Sequence, residues 1–234
     1  MSPSAPFVLG LTGGIAMGKS TVAGWLRELG VPVLDSDQVV HDLYASGGAA
    51  VGPVGAAFPG VVVDGAISRP ELSKQVVGKP EALARLEALV HPLVTAEKRR
   101  WLAAQAAAGQ PLVVLDIPLL YETDAQAQCD AVAVVSAPAE QQRARALGRP
   151  GMSEGKLEAI LARQVPDAEK RKQADFVIDT GVPLAETRQH VVSMVEGLRG
   201  RQGGKYASLM AAATDAASSG DAAGSSGSDG RQGS

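Results

Sequence analysis

The sequence predicts an α/β fold, a parallel sheet of five strands with helices on both faces. Two observations carry that prediction. Short apolar runs alternate with helical stretches along most of the chain. A glycine-rich stretch at 10–21, GLTGGIAMGKST, also stands between the first apolar run and the first helical one, where a strand-to-helix turn belongs.

FVLGL (7–11) is rich in strand formers and closes on the glycine turn. TVAGWLRELG (21–30) then puts Val22, Trp25, Leu26 and Leu29 on one helical stripe, with Gly30 as a stop. VPVLD (31–35) reads as a second strand and SDQVVHDLYASGG (36–48) as a helix ended by glycines. Residues 70–78 and 79–109 carry helical spacing, the second interrupted by a break or kink at Pro92. PLVVLDIPLL (111–120) is a strand running into a loop, and DAVAVVSAP (130–138) is the next strand. Residues 139–164 read as helix, short loop, helix, with arginines near the turn. ADFVIDTG (174–181) is the fifth strand, followed by a helix at 182–198. After about residue 200 the composition changes, and 211–234 is Ala, Gly, Ser and Asp with no large apolar residue, which buries too little surface to offset ordering entropy; 201–234 is expected to be a disordered tail.

With 234 residues and 45 % hydrophobic content, the chain can build a sizeable core. A net charge of −3 gives no broad basic face, so no nucleic-acid partner is expected. The single cysteine, Cys129, rules out a disulfide framework within the chain and suits a reducing compartment. MSPSAP has no basic segment followed by an apolar signal core, and no apolar run approaches the roughly 20 residues that span a bilayer. The expectation is a soluble cytoplasmic protein without a membrane partner.

Gly13, Gly18, Lys19 and Ser20 fit G-x-x-x-x-G-K-[ST], a phosphate-binding loop. Such a loop, here Gly13, Gly14, Ile15, Ala16, Met17, Gly18, Lys19, Ser20 and Thr21, turns main-chain N–H groups toward phosphate oxygens. The helix that follows presents its N-terminus to the anion. Lys19 supplies a mobile positive charge near the β- and γ-phosphates, and the Ser20 hydroxyl can join a Mg²⁺ shell. The ligand is therefore a nucleoside triphosphate with Mg²⁺. No N-K-x-D guanine motif is present, which argues against a GTPase, and a small chain with one such loop suits a kinase for a small molecule.

Asp35 and Asp37 follow the second strand, at the carboxyl edge where open α/β sheets bind ligands. A carboxylate there can accept the proton of an attacking hydroxyl. The same spacing also suits helix capping, with Asp35 or Ser36 as N-cap and Asp37 in the first turn. Asp116 ends LVVLD, which reads either as a carboxylate reaching Mg²⁺ through water or as a polar strand end.

With these motifs in place, the chain from about Phe7 to Leu198 resembles the dephospho-coenzyme A kinases. The resemblance rests on GLTGGIAMGKSTV, VLDSDQVVHDLY, LEALVHPLV, VLDIPLLYE, RARALGRPGMSEGKLEAILARQ and ADFVIDTG in that order. It implies a P-loop kinase fold at 1–200, with a helical acceptor-binding insertion at about 48–110 and a lid at about 146–165. The implied reaction is transfer of the ATP γ-phosphoryl group to the ribose 3′-hydroxyl of dephospho-coenzyme A. The resemblance makes Asp37 the general base and Asp35 a helper in placing metal or substrate. His91 matches the family's HP pair, and Pro118, Leu119, Leu120, Tyr121 and Glu122 match a segment lining the acceptor site. Arg145 and Arg149 match arginines at the start of the lid, and Gln164 the glutamine that ends its second helix. Ala16 and Met17 stand where the family commonly has glycine and serine, Pro150 where its lid often has aspartate, and Thr180 where its last strand ends in asparagine. Two other readings stay open: a kinase for a different nucleoside or nucleotide, and a nucleotide sensor without catalysis.

Overall fold

The computed structural model describes residues 5–211. The chain opens with β1 (Phe7–Gly13), α1 (Lys19–Glu28), β2 (Val33–Asp35) and α2 (Ser36–Tyr44). It continues through α3 (Val51–Ala57), a hairpin of β3 (Val62–Val63) and β4 (Ala66–Ile67), α4 (Arg69–Val76) and α5 (Pro80–Ala107). The second half runs β5 (Leu112–Asp116), a 3₁₀ turn at Ala125–Gln128, β6 (Ala131–Ser136), α6 (Ala139–Leu147), α7 (Glu154–Leu161) and α8 (Asp167–Gln173). It ends with β7 (Phe176–Asp179), α9 (Leu184–Leu198) and α10 (Lys205–Ala211).

The main sheet has five strands in the order β2-β5-β1-β6-β7, every pairing parallel. Both its faces are covered, and strict alternation divides the strand residues between them. Phe7, Leu9 and Leu11 join Leu112, Val114, Ala133 and Val135 in a core closed by α1 and α9. Val8, Val113, Leu115, Val132 and Val134 face the other way, onto Leu102 of α5, Tyr121 and Ala125. Because all strands run one way, Gly13, Asp35, Asp116 and Asp179 share one edge. The predicted α/β architecture is the observed one.

The region between α2 and β5 builds a second small core. Val39, Leu43 and Tyr44 pack with Val54, Phe58, Ile67, Leu72, Leu86 and Val90. Helix α5 serves both bodies, because Leu102 lies in the main sheet's core while Leu86 and Val90 lie in the insertion's. The helix runs unbroken through Pro92, so the expected break is absent there. Pro92 and Ala88, four residues earlier, are both exposed, so the hydrogen bond that proline deletes is lost on the wet side.

Among the described residues, α3, the β3–β4 hairpin, the 3₁₀ turn, α8 and α10 go beyond the sequence expectation. The last overlaps the stretch assigned to the tail. Residues 205–211 form a helix because Asp130 receives them: its Oδ1 accepts from the N–H groups of Gly204 and Lys205, and its Oδ2 from that of Val8. Tyr206 and Leu209 then pack on the far-face core. The rest of the expected tail, 212–234, lies outside the described residues.

Candidate active site

A cavity of about 610 Å³ opens at the carboxyl edge of the sheet. Its wall takes in residues 13–21 of the loop, together with Asp37, Pro118, Arg145 and Arg149. Five features that the sequence separates by up to 136 positions thus meet at one place.

The loop is shaped by a few local demands. Gly18 is the N-cap of α1 at φ 92°, a left-handed conformation that a side chain resists, and the Thr180 side chain lies against it. No side chain caps this helix, and the N–H groups of Lys19 and Ser20 at its start are left to meet an anion. Met17 is buried; its sulfur accepts from the N–H of Ala137, which ties the loop to the end of β6. Ala16 sits at φ 61°, a conformation costing roughly 1–2 kcal/mol for a residue with a Cβ. Its methyl is buried against Ala146 and Leu157, a contact a glycine would lack.

The three aspartates at the edge have separate positions. Asp35 caps α2, its Oδ1 accepting from the N–H groups of Asp37 at 2.9 Å and Gln38 at 3.2 Å, and it does not line the cavity. Asp37 does, and its exposed carboxylate makes no hydrogen bond or ion pair with the described residues. Asp116 is buried and pairs with Lys19. Burial pushes the Asp116 pKa up; the Lys19 ammonium opposes that without cancelling it, and Asp35, its register partner across β2 and β5, adds to the rise.

The far wall comes from β7 and the α6–α7 segment. The Thr180 hydroxyl donates to the Met17 carbonyl at 2.7 Å and accepts from Arg145 Nη1 at 3.0 Å. Arg145 Nη2 also donates to the Thr180 carbonyl at 2.7 Å. Thr180 therefore joins the loop, the last strand and an arginine. Trp25, Ile160, Gln164, Leu184 and Thr187 complete the lining. Trp25, on the apolar stripe of α1, packs on the core and borders the cavity as well.

Several residues of the implied acceptor site lie elsewhere. His91 is exposed on α5, away from the cavity wall. Leu120 and Tyr121 are buried in the far-face core, and Leu119 is exposed outside the lining. The Glu122 carboxylate turns inward, accepting from the Val165 N–H at 2.8 Å and lying 2.8 Å from the ammonium of buried Lys170. Cys129 is buried and its thiol is pushed up to about 12, chiefly by burial, so it is no nucleophile.

Comparison with known proteins gives consistent results. The family model CoaE, described as dephospho-CoA kinase, matches residues 7–186. A dephospho-CoA kinase of Mesorhizobium japonicum is 55 % identical over 196 residues, 84 % of this chain and 98 % of that one. One from Rhizobium meliloti is 54 % identical over 192 residues, covering 82 % and 98 %. A crystal structure of a Thermus thermophilus protein superposes with a TM-score of 0.70 at 35 % identity, covering 82 % of this chain and 97 % of that one.

Proposed function

The chain belongs to the dephospho-coenzyme A kinase family, and from that premise we propose how its residues carry out the family's reaction. It is an ATP-dependent kinase that phosphorylates dephospho-coenzyme A, giving coenzyme A and ADP. One observation supports the residue assignment above the others: an unpaired carboxylate, Asp37, and the phosphate loop border the same cavity. Asp37 takes the proton from the ribose 3′-hydroxyl as that oxygen attacks the γ-phosphorus. The loop amides and the start of α1 hold the phosphates in line, and Lys19, released from Asp116, adds positive charge beside the transferred group. Arg145 and Arg149 supply charge from the opposite side.

Mg²⁺ suits the donors at hand. Ser20 borders the cavity, and Asp116 is a buried carboxylate that already draws a cation, the Lys19 ammonium, against it. Hard oxygen donors of this kind, few in number and completed by water and substrate phosphates, are what Mg²⁺ takes. Among the described residues, no group of three or more His, Cys, Asp or Glu side chains is placed to hold a metal ion. When bound, it would neutralise charge developing on the phosphates. Ser20 and Asp116 would hold it.

We assign acceptor binding to the insertion and closure over ATP to the α6–α7 segment, whose shutting excludes water as a competing acceptor. A cytoplasmic setting is proposed with these roles, in keeping with the single free cysteine. Among the described residues, no helix is long and apolar enough to cross a membrane.

ADP release measured with dephospho-coenzyme A, with nucleoside monophosphates and with no acceptor tests the reading. Strong preference for dephospho-coenzyme A is expected. Preference for a monophosphate, or ATP binding with no acceptor-dependent turnover, would overturn it. A second test concerns Thr180. Thr180→Val keeps the shape and removes a hydroxyl that serves Met17 and Arg145 together. Losing those bonds is worth about 1–1.5 kcal/mol, so KM for ATP is expected to rise about tenfold. Steady-state kinetics with ATP varied checks this, and an unchanged KM would remove Thr180 from the nucleotide seat.

A further inference from the structure

We propose that Gln142 and Gln164 form a two-ended clamp that fixes the phosphate loop to the lid, making the pair positioning residues for phosphoryl transfer. The inference rests on the reading that this loop seats the phosphates of ATP. Both glutamines grip one residue, Ile15. Its N–H donates to Gln164 Oε1 at 3.2 Å, and its carbonyl accepts from Gln142 Nε2 at 2.9 Å. Main-chain chemistry fixes the orientation of each amide. An N–H can bond only to the oxygen end and a carbonyl only to the NH₂ end.

Gln142 lies in the first turn of α6, three residues before Arg145, and Gln164 follows the end of α7. The clamp therefore holds both ends of the segment that carries Arg145 and Arg149. The neighbouring glycine is small for a matching reason. A Cβ on Gly14 would stand 3.0 Å from Gln142 Nε2 and 3.5 Å from Gln164 Oε1, so the two amide heads use the space a side chain would fill. Beside them, the buried methyl of Ala16 packs on Ala146 and Leu157, one residue from each lid helix. The outer end is fixed too, since the N–H of Val165, next to Gln164, is bonded to Glu122.

Two polar contacts and one apolar contact thus join loop and lid without any help from a nucleotide. The two ends of the lid keep their relation to the phosphate seat between turnovers, and closure over ATP is left to the stretch between them. A lid released at either end would admit water to the γ-phosphate.

The test uses Gln142→Met, Gln164→Met and the double variant, each of similar length with no amide. Each single variant is expected to raise KM for ATP about tenfold, the equivalent of one lost hydrogen bond of about 1.4 kcal/mol. KM for dephospho-coenzyme A should stay within about twofold, while acceptor-independent hydrolysis rises as a share of ATP turnover. The double variant should cost less than the product of the singles, because releasing one end already frees the lid. KM values for ATP within about twofold of wild type, or single effects that multiply, would overturn the clamp. Hydrogen exchange on the unaltered protein is an independent check. Without nucleotide the Ile15 amide should exchange slowly, and exchange at the rate of an open loop would overturn the proposal even if the variants fail to fold. Wild-type protein that does not bind ATP would instead sink the functional reading on which the clamp rests.

Discussion

Asp37→Asn is expected to bind ATP normally and to lose turnover by about a thousandfold, within the 10²–10⁴ that a general base contributes. The substitution isolates the carboxylate. Asparagine has the same outline and keeps the main-chain N–H that Asp35 Oδ1 accepts, so the cap of α2 is retained. It cannot take a proton from the attacking hydroxyl. The neighbouring aspartate should behave differently. Asp35 is engaged with two N–H groups and does not border the cavity, so Asp35→Ala should act mainly through the helix, costing about 1 kcal/mol of stability. The pair of variants, assayed for kcat, KM and ATP affinity, decides which of the two carboxylates does the chemistry. An Asp37→Asn enzyme within tenfold of wild-type kcat would remove it from that role. A greater loss in Asp35→Ala, with folding intact, would move the base to Asp35.

Those aspartates mark how far the sequence could be read. Two carboxylates after a strand serve equally as base or cap by spacing alone, and the bonds from Asp37 and Gln38 to Asp35 show which of them caps α2. The five strands of the main sheet were legible because each is an apolar run between turn residues, and the phosphate loop because its four required residues have fixed spacing. Helix α3 was not legible: VGPVGAA has poor helix formers, and the packing of Val54 and the following Phe58 into the insertion's core decides its shape. The β3–β4 hairpin is too short for alternation to show. Its turn residues, Asp64 and Gly65, are both left-handed and form the Asp-Gly signal of a tight hairpin, so a local cue was there. In α10 the deciding partner is Asp130, 74 residues upstream of Gly204. The clamp glutamines lie 127 and 149 residues from Ile15, and no pattern along the chain reveals such a meeting.

Glu122 is the clearest case of a residue whose role depends on something the sequence hides, and it leads to the largest stability effect. Its partner Lys170 stands in DAEKRKQ, a stretch that reads as a solvated helix, yet Lys170 is fully buried. Lys170→Met keeps the aliphatic stem and strands the Glu122 carboxylate, only 12 % exposed, without its cation. Breaking a buried pair from one side costs about 3–5 kcal/mol, so the melting temperature should fall by about 10 °C at neutral pH. The pH dependence follows from Glu122. Burial raises its pKa, but Lys170 and the Val165 N–H together outweigh burial and hold the carboxyl below its ordinary value of 4.5. A carboxyl held low stabilises the fold above that value and loses the contribution as pH drops through its folded pKa. The gap between wild type and Lys170→Met should therefore be widest at neutral pH and close on acidification. Adding Glu122→Gln should recover part of the loss, because the cost comes from an unpaired charge more than from a missing bond. Thermal melts of the three proteins from neutral to acidic pH would read all of this. A fall of less than about 2 °C at neutral pH, or a gap that widens on acidification, would show that Glu122 does not depend on Lys170.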